Sequence, residues 1–414
     1  MRYLLFIAIF ISAYDKSGVP LIGTTIVISY YKLIILILAL NVVHIFSHNK
    51  HKLQLLLDNR LFKVVLLLIF GQAIVSYLGT VFVTGKIFVQ SDLYYFIQKL
   101  SFVVIPAFAY FHNISPKKVL YYFILTIFLH DIFFILQYLS PNIYLNSVAF
   151  VSNLTDNSLT DWDGKTFGII GLQRTSNYGS FVSSFGILAF PFLSEKRLFR
   201  KLLFYFVFSI SIVATLMGGS RSVLVMIGVA ILVLFFRNKL YKKKSFYVVS
   251  LTVFLLFGVG NIVNIENLTS INRITDTESE GSNIGHFVAA EYALQLFSSS
   301  PIIGCGNTKF AELTSKLGNI AQSTSEVHSY ILGTLVSSGI IGLILYIVYF
   351  FTTVKELVHF NNITANIVVS TFIGLGFYNI IYDVGGLDFF SCFNGVVTYY
   401  AISEGIKFQK IIRN

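Results

Sequence analysis

Charge is scarce in this 414-residue chain: Asp, Glu, Lys and Arg make up only 12% of it, against 55% hydrophobic residues. Soluble domains carry about twice that share of charge, and a mean hydropathy of +0.76 excludes a soluble globular fold. Acidic residues are the scarcer sign, 19 against 30 basic, which leaves a net charge of +11. Cysteine occurs twice, at Cys305 and Cys392. A bridge between them is geometrically conceivable, but nothing in the spacing demands one, so two free thiols are expected. No G-x-x-x-x-G-K-[ST] run occurs, which excludes an ATP-driven pump within this chain. Internal repeats of the kind that mark many secondary transporters are absent as well.

What is present is a series of apolar runs long enough to cross hydrocarbon as helix. They fall at about 3–14, 22–46, 63–83, 93–111, 118–139, 175–193, 202–217, 222–236, 246–263, 329–353, 363–382 and 388–406. Residues 1–13 could also be read as a removable signal peptide, but Tyr14-Asp15-Lys16 offers no small-residue cleavage site. Basic residues test this map. With the N-terminus in the cytoplasm, 20 of the 30 fall on the inner face, among them Lys242, Lys243 and Lys244, and eight on the outer. That asymmetry is the positive-inside pattern. The expected fold is therefore an all-α polytopic integral membrane protein of about 12 transmembrane helices, a single membrane domain over 1–414 with both termini cytoplasmic. The positive charge is a topology signal that also suits anionic inner-leaflet lipids, and no nucleic-acid partner is needed to explain it.

Two outer loops exceed what connections require, 140–174 and 264–328, while the cytoplasmic loops are short and basic, without room for a nucleotide-binding domain. Substrate chemistry is then expected at the outer face, where nucleotide sugars are not available, with the activated substrate carried by the membrane itself. The second loop is expected to hold an amphipathic helix at about 286–299, its apolar face on the membrane interface, ending before Ser300-Pro301. A tight turn, Ile302-Ile303-Gly304-Cys305-Gly306-Asn307, follows.

Several constellations could carry chemistry. Met217-Gly218-Gly219-Ser220-Arg221-Ser222 separates two spans at the outer face. Arg221 there begins a helix, and a guanidinium fork beside a helix N-terminus suits phosphate or pyrophosphate; a snorkelling interfacial arginine is the alternative. Arg174, in Gln173-Arg174-Thr175-Ser176-Asn177-Tyr178-Gly179, has the same potential, and Arg273 sits early in the long loop, where a solvated role is the default. His328, two residues after Glu326, titrates near neutrality and can take a proton from a sugar hydroxyl. Glu326 is either an alternative base or the group that orients the ring. His286 is a weaker candidate of the same kind. Asp161-Trp162-Asp163 resembles a metal-binding D-x-D but lies on the wrong side for nucleotide sugars, and Trp162 could instead stack on a sugar ring. His130-Asp131, within a span, is either functional or a buried interhelical hydrogen-bond pair. Lys99 and Lys32 are further charges inside spans. Asp383 and Asp388 flank Gly385-Gly386 in what reads as a structural turn.

The order of these features resembles the O-antigen polymerase/O-antigen ligase superfamily of bacterial inner-membrane glycosyltransferases. The resemblance rests on Arg174…Gly179 leading into a span, Gly219-Ser220-Arg221 before an apolar helix, the P-x-x-G-x-G turn at Pro301…Gly304-Cys305-Gly306, and His328 followed by Ser338-Gly339-Ile340-Ile341-Gly342-Leu343. It covers about residues 170–350. One departure is that family members usually carry an arginine near the start of the helix before this turn. Here that place holds His286, with Arg273 thirteen residues upstream, so the role stands between the two.

The resemblance implies a GT-C-like architecture without cofactor or metal, acting in lipopolysaccharide biosynthesis at the inner membrane. Donor and acceptor would be oligosaccharides on undecaprenyl pyrophosphate, with a chain-length regulator protein a conceivable further partner. Arg221, with Arg174 or Arg273, would hold the pyrophosphate, and His286, Trp162 and Tyr178 would line the glycan path. His328 would take the acceptor hydroxyl proton, with Glu326 beside it and inversion at the anomeric carbon. The polymerase branch is favoured by a composition rich in Phe, Tyr, Ile, Asn and Lys. Ligation to lipid A-core, or export by a polysaccharide flippase, are the alternatives.

Overall fold

The computed structural model of the chain describes residues 2–14, 18–20, 27–87, 89–140, 142–144, 176–194, 197–217, 220–238, 280–307, 327, 329–383, 385 and 387–413. Helices dominate: α1 (Arg2–Ser12), α2 (Tyr30–His48), α3 (Lys50–Asp58), α4 (Arg60–Gly79), α5 (Gln90–Lys99), α6 (Ser101–Phe111) and α7 (Pro116–Leu139). After them come α8 (Ser176–Ser184), α9 (Leu198–Met217), α10 (Arg221–Arg237), α11 (Glu280–Ser299), α12 (Tyr330–Val358), α13 (Ile363–Ile381) and α14 (Asp388–Arg413). A π-helical turn, Thr80–Thr84, extends α4, and a 3-10 stretch, Phe185–Ser194, extends α8. Among the described residues, seven spans are long and apolar enough to cross a membrane, with Tyr3–Ser12, Tyr178–Leu193 and Ser222–Arg237 as shorter apolar helices. The chain is an all-α, multi-pass membrane protein. The span expected at 246–263 lies outside the described residues; each of the others has a helix at its place.

Lipid offers backbone groups no partner, so each span closes its own hydrogen bonds. Side chains cap the entries. Ser29 accepts from Lys32 N, Asn59 from Phe62 N and Ser329 from Leu332 N, each satisfying a first-turn N–H. On α4 the faces are sorted against the soluble rule. Gln72, Ser76 and Thr80, four residues apart, are buried, while Leu67, Phe70 and Ile74 point outward. An outward apolar face needs no burial in hydrocarbon, and the inward polar residues bond to neighbouring helices.

One expectation is corrected. The span read at 22–46 begins as helix only at Tyr30. Val27–Ser29 instead pairs antiparallel with Gly18–Pro20 in a three-residue hairpin, Val19 opposite Ile28. The β-branched run Thr24-Thr25-Ile26-Val27-Ile28 explains the preference, since such side chains favour pleated strand over helix.

The chain divides into two compact units: Met1–Thr126 with Ser279–His359 and Asn379–Asn414, and Ile127–Glu278 with Phe360–Tyr378. In the first, α4 packs along α12 and α6 along α14. A Cβ on Gly395 would lie 2.5 Å from Ser101 O, so α14 and α6 approach to backbone contact. Phe123 stacks on Phe389, centroids 4.8 Å apart, and Tyr349 Oη donates to Asn394 Oδ1 at 3.0 Å. In the second unit, α9 packs on α8 and its 3-10 extension. Arg237 Nε, closing α10, donates to Asn366 Oδ1 on α13 at 2.9 Å.

Candidate functional site

The turn Pro301–Gly306 is built into a broken helix of the first unit. α12 is interrupted at Gly339, whose φ of 61° and ψ of −162° are not helical. That break frees two carbonyls and two N–H groups, and the turn takes all four. Cys305 N donates to Val336 O at 2.6 Å and Gly306 N to Ser337 O at 3.1 Å, while Ile340 N donates to Pro301 O at 2.9 Å and Ile341 N to Ile302 O at 3.4 Å. Gly304 and Gly306 have φ of 73° and 79°, a region that favours glycine. The packing also leaves no room for a side chain. A Cβ on Gly304 would meet Gly339 N at 2.6 Å, and one on Gly306 would meet Thr80, at the start of the π-helical turn. The P-x-x-G-x-G spacing is thus a backbone plug for α12.

Asn307, the next residue, ties the plug to α4 and α5 through Asp92. The Asp92 carboxylate accepts from Ser76 Oγ (3.2 Å), Thr80 Oγ1 (2.9 Å), Asn307 Nδ2 (2.9 Å) and Asn307 N (3.3 Å), and Asn307 Nδ2 also donates to Ser76 Oγ at 2.7 Å. Below this hub, Lys99 Nζ donates to Gln72 Oε1 at 2.9 Å and Gln72 Nε2 to Gly342 O at 2.9 Å. Gln72, Ser76, Asp92, Lys99, Asn307 and Ser338 line one polar cleft. Of these, only Lys99 stands out in the sequence, as a charge within a span.

Both sequence neighbours of His328 are fixed. Val327 is buried with Ala293, Leu296, Cys305 and Val336. Ser329 Oγ donates to Asn379 O at 3.4 Å, and Tyr330 N to Tyr382 O at 3.3 Å. This cluster also alters the expectation for the loop helix. α11 ends at Ser299 as anticipated, but Ala293 and Leu296 on its apolar face are covered by protein, with Phe287 and Leu294 left exposed. The cysteines are free, and both are buried.

Of the residues singled out for chemistry, three lie on described helices. Arg221 is the first residue of α10, and Ser220 before it makes no side-chain cap, its hydroxyl lying 3.1 Å from Ser222 Oγ. The helix therefore starts with first-turn N–H groups and a guanidinium-bearing residue together, the arrangement that suits an anion. Tyr178 is half-buried on α8, in the same unit as Arg221. His286 lies on α11 in the other unit. Arg174, Arg273, Trp162, Glu326 and His328 lie outside the described residues.

The other polar residues resolve into structural roles. His130 Nε2 lies 3.1 Å from Gly179 O, and the Asp131 carboxylate accepts from Ser183 Oγ at 2.6 Å and from Ser211 Oγ, so the pair makes interhelical hydrogen bonds from α7 to α8 and α9. Asp383 accepts from Gly385 N at 2.8 Å, as a turn residue does. Asp388 is not merely part of that turn: it forms a buried ion pair with Lys32, 2.6 Å apart.

No curated protein matches the chain. Residues 204–347 match the family model described as O-antigen ligase. That stretch contains Gly219-Ser220-Arg221, the Pro301–Gly306 turn, His328 and the Gly339 break, whereas Arg174…Gly179 precedes it. Over residues 204–347 the chain is thus similar to the O-antigen ligase family.

Proposed function

We propose that this protein is an O-antigen polymerase, joining undecaprenyl-pyrophosphate-linked oligosaccharide repeat units at the outer face of the bacterial inner membrane. The family match over residues 204–347 supports the superfamily, with Arg221 opening an uncapped helix inside it, and a composition rich in Phe, Tyr, Ile, Asn and Lys favours the polymerase branch. In this mechanism Arg221, with Arg174 or Arg273, grips the donor's pyrophosphate. An acceptor sugar hydroxyl attacks the anomeric carbon with inversion, and the new C–O bond forms as the bond to the pyrophosphate breaks. The hydroxyl proton passes to His328, beside which Glu326 orients the ring, and the electron pair leaves with the diphosphate. Negative charge grows on that leaving group, so fixed guanidinium groups stabilise the transition state more than the ground state.

The description of the matching family favours a second reading, ligation of the lipid-linked glycan to lipid A-core. Lipopolysaccharide from a deletion strain separates the two. Core capped by single repeat units is the result expected of a lost polymerase. Bare core with accumulated lipid-linked polymer would replace that reading with the ligase, and loss of all outer-face units would indicate a flippase.

A further inference from the structure

Two lysines lie at membrane depth in the first unit, and their surroundings differ. Lys32 is buried against Asp388, donates to the Ser29 hydroxyl oxygen at 3.5 Å and sits 3.7 Å from the centroid of the Tyr94 ring; its charge is matched. Lys99 ends α5, roughly 12 Å along the helix from Ser91 at 1.5 Å per residue, deeper than the helix-end positions from which a lysine snorkels. It is half-buried. Its hydrogen-bond partner among the described residues is a neutral amide oxygen, that of Gln72, and the other end of that amide is committed to Gly342 O. Among the described residues Lys99 makes no ion pair; Asp383 acts on it only from beyond ion-pair distance. Asp92, in the same cleft, already accepts four hydrogen bonds. An ammonium whose direct hydrogen-bond partner within an apolar span is a neutral amide, with Asp92 in the same cleft but not paired to it, is costly to keep and marks a functional position.

We propose that Lys99 is a binding site for a lipid-borne phosphate: the diphosphate of the acceptor, the second lipid-linked substrate. The inference rests on the polymerase reading. Joining two lipid-linked glycans requires two diphosphates to be held during one turnover, of which only the donor's departs. A guanidinium fork at Arg221 suits the group on which charge develops. A lysine, acting as a point charge, suits the diphosphate whose charge does not change. The Gln72 amide aims the ammonium, and the Ser338 and Asn307 side chains supply polar lining to the cleft.

Native mass spectrometry of the purified full chain, with undecaprenyl pyrophosphate as probe, tests the assignment by counting bound copies. The wild type is expected to hold two, Lys99→Met one, Arg221→Ala one and Lys99→Arg two, with phosphatidylglycerol in large excess displacing neither. Lys99→Met keeps the side-chain volume and removes a desolvated charge, so its melting temperature should not fall. If it does, Lys99→Gln provides the same loss of one copy with a polar side chain in place. Two copies on folded Lys99→Met or Lys99→Gln, or displacement of the Lys99-dependent copy by phosphatidylglycerol, overturns the inference and leaves the polymerase reading standing. Failure of the wild type to bind any copy overturns both.

Discussion

Two buried carboxylates are held in different ways in the two units. Asp388, at the start of α14, takes the Lys32 ammonium at 2.6 Å and the Ser29 hydroxyl at 2.7 Å. Asp131, within α7, takes only hydroxyls among the described residues, those of Ser183 and Ser211. Both are fully buried. The difference lies in what remains when a partner is removed. Deleting Lys32 strands a charge in a dry site, whereas deleting one serine leaves Asp131 with a second donor. Polar residues in these spans thus range from ion pair to hydroxyl pair, and Arg221 adds a further case, for which the proposed partner arrives with the substrate.

The ion pair gives the largest expected loss of stability. Lys32→Met should destabilise the purified protein by about 3–5 kcal/mol, the usual cost of leaving one member of a buried pair alone. Adding Asp388→Leu should recover most of that, because replacing a whole buried pair by apolar groups is often neutral. Thermal unfolding of both variants in detergent measures the contrast. A single variant as stable as the wild type would mean that Asp388 needs no counter-charge and would erase the distinction from Asp131.

The functional residues should show the opposite pattern, with activity lost and folding kept. His328→Ala should slow polymerisation by roughly 10²–10⁴-fold, the usual worth of a general base, while donor binding is retained. The wild-type rate should rise with pH through one ionisation, since only the neutral imidazole accepts a proton. Glu326→Gln should have the smaller effect if Glu326 orients the ring. An active His328→Ala enzyme with an unchanged pH profile would transfer the base role to Glu326.

Arg221→Ala comes next. It should abolish polymer while costing about 2–4 kcal/mol of transition-state stabilisation, as for removal of one oxyanion donor. Arg221→Lys should fail too, because lysine keeps the charge but not the two-pronged fork. Ladder patterns of surface polysaccharide from complemented deletion strains give the readout, with membrane levels of each variant as the control. A normal ladder from Arg221→Ala would remove the uncapped start of α10 from the proposed site.

How much of this was legible in the sequence depends on range. Spans are local: lipid demands a continuous apolar helix, so the hydropathy runs marked the helices closely, even at α13 and α14. The exception at Val27–Ser29 is also local, a case of β-branched residues outweighing apolar character. Partner choice is not local. Nothing in the string indicates that Asn307 meets Ser76 and Asp92, or that Lys32 meets Asp388, residues more than 200 positions apart. Gln72 carries no signal as a single polar residue in an apolar span, and Asp92 falls just outside the span read at 93–111, although Lys99 stands out as a charge within it. Gly219-Ser220-Arg221 was readable because glycines and a helix start are short-range features. The P-x-x-G-x-G spacing was readable as a turn, but its docking into the Gly339 break was not, because the two are separated by the loop from 308 to 328.

The smallest expected effect lies at Asp131. Ser183→Ala removes one hydroxyl donor at 2.6 Å and leaves that of Ser211. The loss should be about 1 kcal/mol, the net worth of a typical intramolecular hydrogen bond, with membrane levels close to wild type. Ser183→Ala combined with Ser211→Ala should cost more than the sum of the single changes. The first deletion leaves a donor for the carboxyl, and the second takes the last hydroxyl described beside it, so desolvation is then uncompensated. Thermal unfolding of the two single variants and the double variant forms a complete cycle. Strict additivity would show that the two serines do not share the stabilisation of Asp131. A loss for Ser183→Ala as large as that for Lys32→Met would show that Asp131 depends on its hydroxyls as heavily as Asp388 depends on its cation.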